Sequence, residues 1–237
     1  MAASVRVFES PQWIGEVLAG EIARRHDASD GPFLLGCPGG RSLRTTYQAL
    51  SRRRRSFDRL VVVMMDEYLG APPDAHYSCA RFAREEIARP LGIPKARVWL
   101  PDPADPAAYD ARIAAAGGID LFLLASGASD GHVAFLPPGS PRDGRTSVVE
   151  LAETTRRDNL ATFPGFRSVD EVPTHGVSVG LATIASARAL RLVLLGAGKR
   201  EAASRLRSLD RFDPHWPASV VHDHDDARIE LDEEACA

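Results

Sequence analysis

Four apolar segments of this chain end abruptly in glycine-rich or charged residues, and this pattern constrains the fold more than any other feature. The apolar segments are residues 33–37, 60–65, 119–125 and 190–195, and the segments that follow them include residues 39–42, 66–68, 130–132 and 196–199. Patterns typical of amphipathic helices separate the apolar segments. Near-continuous apolar strands that alternate with helices indicate a mostly parallel sheet with helices on both faces. The sequence therefore predicts an α/β fold, and we expect one domain over residues 1–237.

The polar segments that follow the strands predict a single ligand site. Open parallel sheets bind their ligands in a crevice outside the carboxyl ends of the strands. Because all four polar segments follow predicted strands, we expect their side chains to meet at that edge of the sheet.

Two of these segments have the composition of a phosphate site. The first is a turn that consists of Gly39, Gly40, Arg41 and Ser42. It offers backbone N–H groups at the start of a predicted helix, a guanidinium and a hydroxyl, which together suit an anionic phosphate. Lys199 follows another glycine-rich turn, and it stands out because the chain contains only two lysines. A tight strand-to-helix turn with an exposed Arg41 explains the first segment about as well, so both interpretations stay open.

Three titratable residues in the other segments are candidates for acid–base catalysis. Asp66 follows an apolar strand, where sheet geometry can hold a carboxylate towards a crevice; a helix cap or an ion pair is the structural alternative. His132 lies two residues after Asp130, across a glycine, so that the carboxylate can orient the imidazole and keep it basic. The Ser-Asp-Gly-His context after a buried strand favours a functional role for this histidine.

Charge, hydropathy and cysteine content argue against several classes of partner. A formal net charge of −3 and a pI near 6.2 give no electrostatic reason to expect a nucleic acid or an anionic membrane. No segment approaches the roughly 18 consecutive apolar residues of a membrane-spanning helix. Cys37, Cys79 and Cys236 match neither a disulfide framework nor a zinc site, so we expect a reducing cytoplasm and no metal centre.

Several segments, taken in order, carry the motifs of one enzyme superfamily. Residues 65–68 read MDEY, and residues 119–122 and 130–135 read IDLF and DGHVAF. Shorter similarities continue through Trp216 to Asp232, so that they cover nearly the whole chain. Together these segments resemble the superfamily of glucosamine-6-phosphate deaminase/isomerase and 6-phosphogluconolactonase, in which the deaminases carry MDEY and IDLF followed by DGHIAF.

The resemblance implies a fold, a location and a set of partners. The fold would be a Rossmann-like, modified doubly wound α/β structure, and the protein would be a cytoplasmic enzyme that acts on a small sugar phosphate. No metal ion and no organic cofactor are implied, and a homo-oligomer is left open. Gly40, Ser42 and Lys199 would hold the phosphate group of the substrate.

The resemblance also implies catalytic roles. His132 would help to open the pyranose ring, and Asp130 would orient the imidazole. Asp66 would move a proton between C2 and C1 of the open-chain sugar, which gives the ketose and releases ammonia.

Three features depart from the deaminase pattern. The family motif DGHIAFNEP carries a glutamate where this chain has Pro137, which cannot accept a proton. The motif TRVANSRFF places an arginine on the phosphate where this chain has Ala161, and Arg41 is the candidate to replace that charge. Residues 38–42 read PGGRS, which is closer to the lactonase loop GGRTP than to the deaminase loop ATGST, and residues 196–199 read GAGK as in the lactonases.

Three functions are therefore considered, in this order. The first is aldose–ketose isomerisation with deamination of glucosamine 6-phosphate or a related hexosamine phosphate. The second is hydrolysis of a 6-phosphogluconolactone, for which Asp130 and His132 would suffice without the missing glutamate. The third is a protein that binds a sugar phosphate without turnover, a hypothesis motivated by Pro137 and Ala161.

Overall fold

The computed structural model describes residues 2–163 and 165–237, except for the side chain of Ala161. The strands are β1 (Ser4–Phe8), β2 (Phe33–Cys37), β3 (Leu60–Met64), β4 (Asp66–Tyr68), β5 (Val98–Trp99), β6 (Leu121–Ala125), β7 (Ser147–Glu150), β8 (His175–Ser178), β9 (Leu190–Leu194) and β10 (Ala227–Asp232). Seven of them form a sheet in the order β1-β10-β9-β6-β2-β3-β5, with parallel pairing throughout. This arrangement confirms the predicted mostly parallel α/β fold.

Helices connect the strands and pack on the sheet. They are α1 (Pro11–Ala28), α2 (Arg44–Arg52), α3 (Cys79–Phe82), α4 (Arg89–Leu91), α5 (Pro106–Ala115), α6 (Glu153–Thr162), α7 (Leu181–Ala185), α8 (Arg200–Ser208) and α9 (Glu233–Cys236). A π-helical segment (Ala83–Ala88) joins α3 to α4. Within the described ranges, no helix is long and apolar enough to cross a membrane.

Two apolar layers, one on each face of the sheet, hold these helices. Leu35 of β2 belongs to the layer that contains Ile14 of α1. Leu34, the preceding residue, belongs to the layer that contains Ile113 of α5 and Leu206 of α8. Successive side chains of a strand point to opposite faces of a sheet, so a strand that is covered on both sides needs apolar residues at every position. This requirement explains the continuous apolar segments of the sequence.

A second, antiparallel sheet of three strands in the order β4-β8-β7 lies beside the first, and the sequence pattern does not predict it. Met65 alone separates β3 from β4. Its N–H donates to the carbonyl of Cys37 at 3.2 Å, and its carbonyl accepts from the N–H of Val179 at 2.8 Å. Asp66 then pairs with Ser178 in the small sheet. Backbone bonds on both sides therefore fix the point where the chain leaves the central sheet.

Candidate active site

A cleft opens at the edge of the central sheet where β2, β3, β6 and β9 end. The predicted site residues that line it are Gly39, Gly40, Arg41, Ser42, Asp66, His132 and Lys199. Asp130 contacts His132 through hydrogen bonds. The fold thus brings residues from all four polar segments to one place, as expected for the carboxyl ends of parallel strands.

The glycine turn before α2 has the geometry of an anion site. Gly40 has φ +84°, a left-handed conformation that a residue with a side chain adopts only with strain. No side chain of the described residues caps the N-terminus of α2, which leaves backbone N–H groups of the first turn for a ligand. Arg41 is exposed on this turn, and Ser42 is partly buried.

Lys199 reaches the same cleft from the turn after β9. Its Nζ donates to the carbonyl of Ser126 at 2.6 Å. Burial lowers the pKa of Lys199 and the charge of Arg41 lowers it further, while Asp158 and Asp130 act in the opposite direction. Because an anion between Lys199 and Arg41 would relieve their mutual repulsion, this part of the cleft suits a phosphate group.

The turn that carries Lys199 is anchored by Asp232, a buried residue at the end of β10. The N–H of Gly196 donates to both carboxylate oxygens of Asp232, at 2.9 Å each. The N–H of Ala235 donates to Oδ1 at 2.8 Å. Gly196 has φ +82°, so the turn depends on a glycine at this position as well as on the carboxylate.

Asp130 and His132 form a close pair after β6. His132 Nδ1 lies 2.8 Å from Asp130 Oδ1, and the backbone N–H of His132 donates to the same oxygen at 3.0 Å. Thr154 Oγ1 donates to Asp130 Oδ2. Burial acts to raise the pKa of Asp130, but the hydrogen bonds and charge of His132, with the hydroxyl of Thr154, hold it well below its usual range. An ionised Asp130 favours the proton on Nδ1 and leaves His132 Nε2 for a ligand.

Two glycines allow this pair to form. A Cβ atom on Gly127 would overlap the side chains of His132 and Asp130. Gly131 has φ +66°, and a Cβ atom there would overlap the ring of Trp216. Sequence reasoning did not anticipate that Trp216 packs on the His132 loop, because the two segments are far apart in the chain.

Asp66 is a buried carboxyl group that lines the cleft. Its pKa is raised from 3.8 to about 7, mainly by burial and to a smaller extent by the neighbouring Glu67 carboxylate, while a hydrogen bond with Cys79 has the opposite effect. A carboxyl group with a pKa near neutrality can both accept and return a proton, which is what a proton-transfer catalyst needs.

Helix α6 adds an acidic residue to the cleft that sequence reasoning did not predict. Asp158 lines the cleft, and its Oδ2 accepts from the N–H of Ala128 at 3.4 Å. It lies three residues before Ala161, and residues with this spacing share a helix face. Residues 155–163 match the family motif that contains the phosphate-binding arginine. Helical periodicity within this segment could therefore have indicated Asp158.

Two of the three departures from the deaminase pattern, Pro137 and Ala161, have different outcomes in the structure. Pro137 forms a turn in which its carbonyl accepts from the hydroxyl of Ser140 at 2.6 Å. The side chain of Ala161 lies outside the described part of the chain. Among the described residues, no group of three His, Cys, Asp or Glu side chains is placed to hold a metal ion.

Comparisons of the sequence with known proteins point to one family. The family model described as glucosamine-6-phosphate isomerases/6-phosphogluconolactonase matches residues 12–229. A glucosamine-6-phosphate deaminase of Bacillus pumilus (strain SAFR-032) is 34% identical over 238 residues, which covers 96% of each chain. A glucosamine-6-phosphate deaminase of Rhodococcus jostii (strain RHA1) is 37% identical over 236 residues, which covers 94% of this chain and 86% of that one.

Comparisons of the fold find similar solved structures of two kinds of enzyme. The solved structure of a monomeric glucosamine-6-phosphate deaminase matches with a TM-score of 0.91 and 27% identity over 98% of both chains. The structure of a 6-phosphogluconolactonase from Leishmania guyanensis matches with a TM-score of 0.77 and 18% identity over 100% of both chains. The second match shows a shared fold.

Proposed function

Since the chain belongs to the family of glucosamine-6-phosphate isomerases and 6-phosphogluconolactonases, we propose that it isomerises and deaminates glucosamine 6-phosphate or a closely related hexosamine phosphate. One observation carries the proposal: a buried carboxyl group, Asp66, and the His132–Asp130 pair meet at a cleft that also holds a phosphate-type turn. The deaminases among its relatives cover most of the chain at 34–37% identity. The fold is also more similar to the solved deaminase than to the lactonase.

The phosphate group of the substrate binds between the glycine turn and Lys199. The uncapped N-terminus of α2 supplies N–H groups, and Arg41 and Lys199 supply charge. A phosphate held at this end fixes the distance from C6 to the reacting carbons, so its binding energy positions C1 and C2 for catalysis.

His132 opens the sugar ring in this proposal. Its Nε2 accepts the proton of the C1 hydroxyl, the bond between C1 and the ring oxygen breaks, and the proton passes to that oxygen. The products of this step are a C1 aldehyde and a free C5 hydroxyl. The ionised Asp130, 2.8 Å from Nδ1, stabilises the imidazolium that forms in between.

Asp66 then moves the proton that distinguishes the aldose from the ketose. Its carboxylate removes the proton from C2 while the C1 carbonyl oxygen takes up a proton from the C2 ammonium group of the substrate, which gives an enolamine. Asp66 then returns its proton to C1, which gives a protonated imine at C2. Water adds to the imine carbon, and ammonia leaves to give the ketose phosphate. The pKa of Asp66, near 7, supports both halves of this transfer at neutral pH.

Hydrolysis of a 6-phosphogluconolactone is the second candidate, and two features of the chain favour it. Residues 39–41 are a Gly-Gly-Arg turn like that of the lactonases, and Pro137 stands where the deaminases carry glutamate. In a lactonase His132 would activate water, and Asp66 would have no proton to move between carbons.

A product screen tests both candidates. Purified protein is incubated with glucosamine 6-phosphate, other hexosamine phosphates and 6-phosphogluconolactone, while ammonia, ketose and lactone are measured separately. We expect ammonia and ketose in equal amounts from an amino-sugar phosphate. Lactone loss alone would establish the second candidate, and ligand binding without any product would overturn both.

The two variants Asp66→Asn and His132→Ala separate the mechanisms further. A deaminase should lose roughly 10²–10⁴-fold in turnover with Asp66→Asn, the usual contribution of general acid–base catalysis. A lactonase should lose activity with His132→Ala and tolerate Asp66→Asn. Asp30→Asn, an exposed carboxyl, serves as the control. Deaminase activity that survives Asp66→Asn within a few-fold contradicts the role proposed for Asp66.

A further inference from the structure

We propose that Cys79 is a positioning residue for Asp66: its S–H group donates to the Asp66 carboxyl and holds it in place beside the cleft, and Glu67 keeps Cys79 there. The role of Asp66 towards the substrate rests on the proposed function. The contact between the two side chains does not.

The contact pairs one donor with one acceptor. Cys79 Sγ lies 3.3 Å from Asp66 Oδ1, and both residues are buried and line the cleft. Burial raises the pKa of the Cys79 thiol well above its usual range, and the charge of Asp66 raises it further. The thiol therefore keeps its proton at neutral pH and acts as a hydrogen-bond donor to Asp66.

Glu67 explains why Cys79 lies at this distance. Glu67 Oε1 accepts from the N–H groups of Tyr68 at 2.8 Å and Cys79 at 3.0 Å. Its Oε2 accepts from the N–H of Ala80 at 2.8 Å and the hydroxyl of Ser78 at 3.0 Å. The Glu67 carboxylate thus fixes the first turn of α3. Because Glu67 follows Asp66 in β4, this short strand carries both the candidate base and the residue that holds Cys79 beside it.

Within the described part of the chain, no positively charged side chain is among the groups that shift the pKa of Asp66. The Glu67 carboxylate raises the pKa of Asp66. The hydroxyls that share its electrostatic surroundings are those of Tyr47, Tyr68 and Tyr109, and burial together with Asp66 raises their pKa values well above the usual range. They stay neutral over the range in which Asp66 titrates.

A thiol donor suits Asp66 because it orients the carboxyl group without greatly weakening it as a base. Because S–H is a weak donor, Cys79 orients the carboxyl of Asp66 while lowering its pKa only partly. A hydroxyl at the same position would bind the ionised carboxylate more strongly and weaken it as a base. Removing the donor would leave the carboxyl protonated to higher pH.

The first experiment measures kcat/KM for ammonia release against pH in the wild type, Cys79→Ser and Cys79→Ala. The acidic limb should move to lower pH in Cys79→Ser and to higher pH in Cys79→Ala, each by roughly half to one pH unit. KM should change less than about three-fold, because the phosphate contacts are untouched. Cys37→Ser is the matched control. Cys37 is a buried thiol that donates to the carbonyl of Leu35, so its substitution should leave the acidic limb of the pH profile in place.

The second experiment needs no substrate. The S–H stretching band of Cys79 is identified in infrared spectra by its loss in Cys79→Ala. It should shift with pH as Asp66 loses its proton, with a midpoint near pH 7, and it should not shift in Asp66→Asn.

The outcomes separate this inference from the proposed function. A limb that stays in place in both Cys79 variants overturns the inference. If the wild type releases no ammonia, the proposed function fails, and the infrared band alone decides: a band that follows the titration of Asp66 supports the contact, and a band that ignores pH overturns it. If Cys79→Ala does not fold, Cys79→Ser, which changes one atom, assigns the band in its place.

Discussion

The ionised carboxyl of Asp66 lowers the stability of the folded protein. Burial raises its pKa from 3.8 to about 7, so the folded chain keeps a proton that the unfolded chain releases between about pH 4 and pH 7. The stability associated with this group is complete below about pH 4 and is lost as the pH rises through 7. The separation of the two pKa values corresponds to roughly 4 kcal/mol.

Asp66→Asn, which would abolish the proposed proton transfer, should therefore stabilise the protein. We expect the free energy of unfolding of the variant, relative to wild type, to increase from pH 4 to pH 7 by up to about 4 kcal/mol and to stay constant above. Urea unfolding of both proteins at pH 5 and pH 8 measures this difference. An equal difference at the two pH values would contradict the burial of an ionisable group at this position.

Lys199 and Arg41 should contribute comparably to phosphate affinity. Lys199→Ala should weaken binding of an unreactive hexitol 6-phosphate by roughly 1.5–3 kcal/mol, the scale of a charge-assisted hydrogen bond. If Arg41 replaces the arginine that is absent at position 161, Arg41→Ala should weaken it at least as much. Calorimetric titration measures both, with the exposed Lys95→Ala as control. Unchanged affinity in a folded variant would remove that residue from the phosphate site.

Asp158 should oppose the binding of a phosphate. Its carboxylate lines the cleft and acts electrostatically on Lys199, so Asp158→Asn removes a negative charge beside the ligand while an amide oxygen can still accept from Ala128. We expect the same hexitol phosphate to bind about 3- to 10-fold more tightly, less so at high salt. Weaker binding would show instead that Asp158 supports the ligand.

At the scale of single residues, a position directly after a predicted strand was the sequence feature that indicated a site residue. Asp66, His132 and Lys199 could be proposed from the sequence because each follows an apolar strand of a parallel sheet. Cys79 and Asp158 reach the cleft through helices whose placement depends on tertiary contacts. Nothing in the immediate sequence of Cys79 distinguishes it from residues that pack in the core, and Asp158 could have been found only from its helical spacing to Ala161.

Asp130 and His132 lie in a tight loop that leaves no space for a side chain at Gly127, and a substitution there tests this packing. A Cβ atom on Gly127 would overlap both side chains, so Gly127→Ala should separate the imidazole from the carboxylate. We expect turnover to fall at least about 100-fold, as for other small displacements of catalytic groups, and the downfield NMR signal of the Nδ1 proton to disappear. Gly31→Ala is the matched control, because a Cβ atom there meets open space.

The inner strands β2, β3, β6 and β9 were predictable because burial on both faces demands uninterrupted apolar residues. β10 was not predicted, because three charged residues interrupt the apolar ones in its sequence, ARIELD. The small sheet was not predictable in the same way. β4 is three residues long and contains Asp66 and Glu67, so its sequence has neither a period nor an apolar run. Its conformation comes from pairing with Ser178 and its neighbours in β8, which are distant in sequence.

At the scale of the whole molecule, the sheet joins the two ends of the sequence. β1 pairs with β10 in parallel register, from Ser4 with Arg228 to Phe8 with Asp232. β10 in turn lies beside β9, whose end leads into the turn of Lys199. The order of the strands cannot be read from their sequences, since it depends on pairing between segments that are distant in the chain. It nevertheless decides which segments meet, and it places the last strand against the candidate phosphate site.

This placement predicts that Asp232, near the C-terminus, controls phosphate affinity from a distance. Its carboxylate holds the N–H of Gly196, three residues before Lys199. Asp232→Ala should release the turn and weaken binding of the hexitol phosphate about 5- to 10-fold, on the scale of one lost hydrogen bond.

The control variants for this prediction isolate the anchoring carboxylate. Asp232→Asn, which keeps one acceptor oxygen, should fall between Asp232→Ala and wild type, and the exposed Glu233→Ala should bind normally. Titration calorimetry and an unfolding curve for each variant separate loss of affinity from loss of fold. Wild-type affinity in a folded Asp232→Ala would mean that the turn holds Lys199 without its anchor. A loss equal to that of Lys199→Ala would mean that the lysine acts only when the turn is fixed.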